Sequence, residues 1–245
     1  MTRFRPGIAP TLVVLALLPL LVFLGFWQLG RGEQKRVLLD SYAERQMAAP
    51  VTAGQLLTLD DPAFRRVQLR GHFDGQHSLL LDNRVRDGKV GVELLQPFQD
   101  QASGQWLLLN RGWLPWPSRQ TPPVFSTPEH ILDVQAWVYE SPGAPFQLHA
   151  DPSDAPWPRL VTAVTPDKLW VELSREGFAK EVRIAPGPAA YQADWPLIST
   201  GMGPEKHTAY AVQWFAMALA LLGLYLYLGW HTAQEKRHGN GHQSA

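Results

Sequence analysis

Two long apolar segments decide the fold: Ile8–Leu29, IAPTLVVLALLPLLVFLGFWQL, and Tyr210–Trp230, YAVQWFAMALALLGLYLYLGW. The stretches that contain them, residues 6–30 and 207–234, have no Asp, Glu, Lys or Arg. Each segment is long enough to cross a bilayer, which takes about 20 apolar residues. The sequence therefore predicts a membrane protein with one transmembrane helix near each end of the chain.

Between the predicted helices, residues 8–29 and 210–230, lies one large segment, residues 31–206, and a polar tail follows at residues 231–245. A segment of that size is enough for one core-forming domain. We therefore expect a single extracytoplasmic domain held at both ends by transmembrane helices, with the tail in the cytoplasm.

The domain is expected to be α+β and mostly β, as a partly closed barrel or a curled sheet. Helical spacing continues from the first apolar segment through residues 33–46, and Thr165-Pro166-Asp167 is a good helix start. One or two further strands are predicted in residues 182–197. Short apolar or alternating runs bounded by turn residues predict six strands, at residues 66–73, 77–83, 90–98, 106–113, 131–139 and 159–164.

Composition excludes several classes of protein. The chain has 245 residues, with 22 Lys and Arg against 22 Asp and Glu. Proteins that bind nucleic acid usually carry a basic excess, so no nucleic-acid partner is expected. There is no cysteine, which rules out disulfides, thiolate metal sites, covalent CxxCH haem attachment and cysteine nucleophiles.

The first apolar segment begins after a short basic stretch, Arg3 and Arg5, as a signal peptide does. It is longer than a typical signal core, however, and no small-residue cleavage site follows it, so we expect an uncleaved helix. No Arg- and Ser-rich presequence precedes it, which favours a bacterial inner membrane over an imported organelle precursor.

The basic residues beside the two helices favour opposite orientations. Lys236 and Arg237 follow the second helix and only Lys206 precedes it, which favours a cytoplasmic C-terminus. The first helix has three basic residues after it, in 31–36, and two before it, in 3–5, which favours the reverse. Because the charge rule weakens for long translocated loops, we give the second helix more weight and predict a periplasmic domain.

The common enzyme signatures are missing from the sequence. There is no Walker-type phosphate loop, no GxSxG elbow, no HExxH and no GxGxxG after a strand. The acidic residues are scattered, and the sequence alone nominates no pair of carboxylates for acid–base chemistry. We therefore expect no catalytic site.

His207 stands just before the second apolar segment, in GPEKHTAYAVQWF. Pro204 and Glu205 suit a helix entry, and His207, Tyr210 and Trp214 then follow the i, i+3, i+7 spacing of one helix face. One interpretation is an interfacial histidine in an aromatic belt. The other is an axial haem ligand, because neutral imidazole binds haem iron and an aromatic face suits a porphyrin plane.

The end of the first helix, GFWQLGRGEQK, offers a counterpart on the same side of the membrane. Trp27 and Arg31 are four residues apart and share a helix face. Arg31 could bind a carboxylate such as a haem propionate through charge-assisted hydrogen bonds. The alternative is plain anchoring, with tryptophan at the interface and arginine on lipid phosphates.

These segments together resemble the surfeit locus protein 1 family, assembly factors of haem-copper cytochrome c oxidase. The motifs that carry the resemblance are spread over nearly the whole chain: GFWQLGRGEQK, RGHFDG, LDNRVRDGKVGVELLQPF, LLLNRGWLP and HTAYAVQWF. In that family the histidine ahead of the YAxxWF segment is the implicated haem ligand, which here is His207. Family sequences often carry asparagines just before it, where this chain has Glu205-Lys206.

The resemblance implies a protein of the bacterial inner membrane that helps to form the haem a centres of oxidase subunit I. One implied mechanism is transient binding of haem a received from haem a synthase, with His207 on the iron and Tyr210, Trp214, Trp27 and Arg31 around it. The alternative is a membrane scaffold that bridges synthase and oxidase without binding haem. The missing motifs disfavour a third reading, an anchored enzyme of unknown chemistry.

Two asparagine–arginine pairs at strand ends, Asn83-Arg84 and Asn110-Arg111, have no role in that picture. Loop asparagines commonly bond nearby backbone, so a structural turn network is favoured over a docking surface for partners.

Overall fold

A computed structural model of the chain describes residues 6–141, 151–152, 155–195 and 202–239, with side chains described as far as residue 231. The chain divides into two compact units. The helical unit comprises Met1–Asp40 and Ile198–Ala245, and the sheet unit comprises Ser41–Leu197.

Two long helices make up the helical unit, α1 (Ile8–Met47) and α4 (Pro204–Gly239). Within the described part of the chain, both are long and apolar enough to cross a membrane. The predicted extension at residues 33–46 is confirmed, because α1 continues without a break to Met47. The start of the predicted tail belongs to α4, and residues 240–245 lie outside the described residues.

The described part of the sheet unit contains two short helices, α2 (Ala53–Leu56) and α3 (Pro166–Glu172). It also contains eight strands. They are β1 (Val51–Thr52), β2 (Arg66–Phe73), β3 (Leu79–Arg86), β4 (Lys89–Asp100), β5 (Trp106–Pro115), β6 (Leu132–Val138), β7 (Arg159–Val161) and β8 (Gly177–Ile184).

The strands form one mixed sheet in the order β1-β2-β6-β8-β5-β4-β3-β7. Strand β2 pairs with β6 along its first part and with β4 along its last part, so β2, β6, β8, β5 and β4 close into a barrel. Gly71 lies where β2 passes from one partner to the other. A Cβ there would sit 1.8 Å from the carbonyl oxygen of Gln99, so only glycine fits this closure.

Alternation along β5 explains why its run of three leucines is buried on both faces. Leu107 and Leu109 join the core cluster to which all five barrel strands contribute. Leu108 points the other way, into a second cluster that includes Leu169 and Trp170 of α3. A continuous apolar run is what a strand covered on both sides requires.

The six strands predicted between residues 66 and 164 are confirmed, with bounds shifted by a few residues. The helix predicted from Thr165 is confirmed as α3, although the Thr165 side chain makes no capping hydrogen bond. The strand predicted in residues 182–197 is misplaced, because β8 begins at Gly177 and ends at Ile184. Charged residues hide the pattern: Glu181 and Arg183 are buried in β8 because they pair with each other, 2.9 Å apart.

The unexplained asparagine–arginine pair in β5 belongs to buried polar networks. Asn110 donates from Nδ2 to carboxylate oxygens of Glu93, at 2.8 Å, and Glu181, at 2.9 Å. Arg111 donates to the side-chain oxygen of Gln96 and to the carbonyl oxygen of Ala189, 2.7 Å away. The contacts support a structural role for this segment, but it lies within β5 and not in the turn predicted at a strand end.

Candidate functional site

The site predicted at the two apolar helices lies within the helical unit, where α1 and α4 pack closely together. A Cβ on Gly25 would lie 2.5 Å from the ring of Phe215, and a Cβ on Gly32 would lie 3.3 Å from the Cβ of His207. Small residues let helix backbones approach this closely. Farther along, Thr11 and Tyr225 share a hydrogen bond of 3.1 Å between their hydroxyl groups. The order of these contacts shows that the helices are antiparallel.

His207 lies in this helix interface and is only 8% exposed. Its Nδ1 lies 2.6 Å from the side-chain oxygen of Gln28 on α1. Its other ring nitrogen, Nε2, is buried and has no hydrogen-bond partner among the described residues. Buried polar atoms normally have a partner, so a ring nitrogen without one is a candidate point of contact for a ligand.

This arrangement fits a histidine that would ligate a metal, such as a haem iron. Histidines that bind metals commonly donate the proton of one ring nitrogen to an oxygen and ligate through the other nitrogen. Gln28 supplies that oxygen to His207, and Nε2 is left for the iron. Because Nε2 is covered in the structure, an iron can reach it only when the side chains that cover it move aside.

The other predicted residues surround this interface with different degrees of exposure. Tyr210 is 44% exposed, and Trp214 is half-buried with an indole N–H that has no partner among the described residues. Trp27 is 46% exposed, and the guanidinium of Arg31 lies over its ring at 5.8 Å. The structure thus confirms that Trp27 and Arg31 share a face of α1. It also confirms that α4 is helical from Pro204, ahead of His207.

Basic residues outnumber acidic ones at the end of the helix pair that contains His207, although Arg36 pairs with Glu33 at 2.9 Å. Arg31, Lys35 and Arg36 lie within two turns of α1, and Lys35 donates to the carbonyl oxygen of Met202 at 2.7 Å. That contact lies just ahead of the N-terminus of α4, where the helix dipole adds partial positive charge, although the backbone N–H groups of Lys206 and His207 already donate to the carbonyl oxygen of Gly203. Carboxylate or phosphate groups would be stabilised here.

An open groove of about 520 Å³ lies beside the same end of the helix pair. That volume falls within the range of roughly 300–1,000 Å³ that is usual for small-molecule sites. Gly32, which packs against His207, forms part of its wall, whereas His207, Tyr210, Trp214, Trp27 and Arg31 do not. The groove is lined by Phe26, Leu29, Gly30, Gly32, Glu33, Arg36, Pro204 and Thr208.

Gln28 is the functional candidate that the sequence analysis missed. It follows Trp27 in the GFWQ motif at the end of the first apolar segment. Its polarity could have identified it from the sequence, because Gln28 and Thr11 are the two polar residues of the segment Ile8–Leu29. Polar side chains in a predicted membrane span usually have a role in packing or function.

Comparisons with known proteins identify the chain's relatives. The sequence profile described as the SURF1 family matches residues 15–219. A SURF1-like protein of Rickettsia felis is 25% identical over 232 residues, which cover 88% of this chain and 94% of that protein.

Two eukaryotic relatives match over shorter stretches. Cytochrome oxidase assembly protein SHY1 of Saccharomyces cerevisiae is 30% identical over 95 residues, which are 38% of this chain and 24% of that protein. Surfeit locus protein 1 of Mus musculus is 31% identical over 117 residues, which are 41% of this chain and 38% of that protein. The family profile spans most of this chain, from α1 into α4. The chain therefore belongs to the SURF1 family.

Proposed function

We propose that this protein is a membrane-bound assembly factor of haem-copper cytochrome c oxidase, and that it holds haem a on its way into subunit I. It acts as a carrier and not as a catalyst. Family membership and the name of the yeast relative support the assembly role. The observation that carries the haem-binding role is His207, whose Nδ1 is held by Gln28 while its buried Nε2 has no partner.

The proposed site assigns a part to each predicted residue. Nε2 of His207 would hold the iron, since neutral imidazole is a standard ligand of haem iron. Tyr210, Trp214 and Trp27 would supply apolar aromatic surface, and the guanidinium of Arg31 would hold a propionate. Haem a synthase is the donor and oxidase subunit I the acceptor in this scheme.

The proposal places the protein in a bacterial inner membrane, with α1 and α4 as its two spans and the sheet unit in the periplasm. The apolar length of both helices and the SURF1-like protein of a bacterium support this setting. His207 then lies at the periplasmic boundary of the bilayer.

This topology predicts the activity of reporter fusions. Alkaline phosphatase is active only after export, so a fusion near residue 120 should be active and a fusion after residue 235 inactive. The measurement is phosphatase activity per amount of fusion protein in whole cells. The opposite pattern would place His207 at the cytoplasmic surface and contradict the periplasmic assignment.

Deleting the protein should leave a partially active oxidase population that is short of haem a, because a carrier eases insertion without supplying the oxidase's chemistry. The measurement is haem a per subunit I in oxidase purified from the deletion strain. Full haem occupancy without the protein would contradict an assembly role.

Complementation of the deletion strain separates the carrier from the scaffold. If the protein holds haem, the His207→Ala variant should restore haem occupancy poorly although it accumulates in the membrane. If it only bridges the synthase and the oxidase, that variant should restore occupancy as well as the unchanged protein does.

A further inference from the structure

We propose that Gln28 is a positioning residue that fixes the tautomer and orientation of the His207 ring, so that Nε2 presents its lone pair. This inference rests on the proposed function for its purpose, but its physical content concerns the protein without haem. A side-chain oxygen of α1 lies 2.6 Å from Nδ1 of this buried histidine on α4.

The direction of the hydrogen bond follows from what each tautomer leaves unpaired. A neutral imidazole carries one N–H and one lone pair. If Nδ1 carries the proton, it donates to Gln28, and the lone pair on Nε2 is the group without a partner. If Nε2 carries the proton, a buried N–H donor has no partner among the described residues. Orphaned buried N–H donors are rarer than unpaired acceptors, so the Nδ1–H tautomer is favoured.

The packing of the helix pair gives this contact its short length. Gly32 lies one turn beyond Gln28 on α1, and its missing side chain lets the backbone approach the Cβ of His207. Gln28 is itself half-buried in the same interface. Because the His207 ring is buried, water competes little for this hydrogen bond, which helps to hold the ring in place.

The chemical consequence is a histidine prepared to ligate a metal. An acceptor on the distal nitrogen raises the basicity of the ligating nitrogen and fixes the ring plane. Removing a partner of this kind typically lowers metal affinity about 10- to 100-fold. Gln28→Leu should therefore weaken haem binding to that extent while His207 remains in place.

The tautomer can be measured on the full-length protein in lipid, without haem, by ¹⁵N NMR of labelled histidine. The His207 signals are assigned as those lost in His207→Gln. In the unchanged protein, Nδ1 should carry the proton and Nε2 should not. Gln28→Leu should give a mixture of tautomers, whereas Gln28→Glu, which keeps an oxygen at the same reach, should retain the Nδ1 proton.

Gln213→Leu is the matched control. Gln213 is an exposed glutamine of α4, so this change removes an amide from the same helix pair without touching the His207 contact. It should leave both ring nitrogens as they are in the unchanged protein.

Two results would overturn the positioning role. One is an Nδ1 without a proton in the unchanged protein, and the other is a set of His207 ¹⁵N signals that stay the same in Gln28→Leu. The role of Gln28 and the proposed function fail separately. If no variant binds haem but the tautomer follows Gln28, the positioning role stands and the carrier function falls. If haem binds through His207 but the tautomer is unchanged in Gln28→Leu, the carrier function stands and the positioning role falls.

Discussion

Haem a should be lost from the purified protein when His207 is replaced with alanine. The iron then loses its only proposed protein ligand, and the aromatic surface alone retains porphyrin weakly, so haem content should fall by more than about 10-fold. The measurement is the haem absorbance per protein after purification from cells that also produce haem a synthase.

Alanine at position 207 also removes packing and leaves the Gln28 oxygen without its donor, which costs the helix pair about 1–3 kcal/mol. His207→Gln keeps more of the side-chain volume and serves as a second variant that lacks the imidazole. His130→Ala is the control, because His130 is exposed in the sheet unit. Unchanged haem content in both His207 variants, with loss on changing another histidine, would move the site elsewhere.

The second large effect is expected on stability, at Arg183 of β8. Arg183 is buried, donates from Nε to Glu181 at 2.9 Å, and has its guanidinium over the rings of Tyr139, at 3.5 Å, and Trp195, at 4.6 Å. Burial by itself lowers the pKa of Arg183. The nearby carboxylates of Glu181 and Glu93 raise it by more, so the pKa lies above its usual value and the group stays charged.

Arg183→Met should therefore destabilise the sheet unit by about 3–5 kcal/mol, because it leaves the buried carboxylate of Glu181 without its counter-charge. That is a large part of the roughly 5–15 kcal/mol that stabilises a typical domain. The measurement is the free energy of unfolding from urea titration of the full-length protein, followed by near-ultraviolet circular dichroism.

Two further variants make this result specific. Arg183→Met combined with Glu181→Leu should recover part of the loss, because the buried charge of Glu181 is removed while Glu93 keeps its 3.8 Å contact with Arg84. Arg70→Leu removes an exposed arginine whose contact with Asp133 is 3.6 Å, and it should change stability by less than about 1 kcal/mol. A double variant no more stable than the single one would show that packing, not charge pairing, dominates at this position.

Local patterns in the sequence were sufficient for the elements whose environment is regular. The two apolar helices and the six strands before residue 164 were predictable, because burial on one or both faces leaves a periodic trace. The position of β8 was not, since Glu181 and Arg183 interrupt its apolar pattern and are tolerated only because they pair with each other. Barrel closure depends on β2 pairing with both β4 and β6, which no local pattern encodes.

In the candidate site, too, local spacing was predictable from the sequence and tertiary contacts were not. The helical spacing of His207, Tyr210 and Trp214 was readable, and so was the pairing of Trp27 with Arg31. The contact between Gln28 and His207 was not, because it joins residues 179 positions apart in the chain. Only the packing of α1 against α4 brings them together, and that packing depends on glycines whose importance a single sequence does not display.

The sheet order has a consequence for how the protein is made. Strand β8 is the last strand in the part of the chain that the structure describes, yet it lies between β6 and β5. A nascent chain that ends before residue 177 therefore holds an open sheet, with edges of β5 and β6 that are free to pair with other chains. The domain can close only in one late step, and non-local pairings of this kind form slowly. The sheet order thus predicts that incomplete chains are prone to aggregate before β8 emerges.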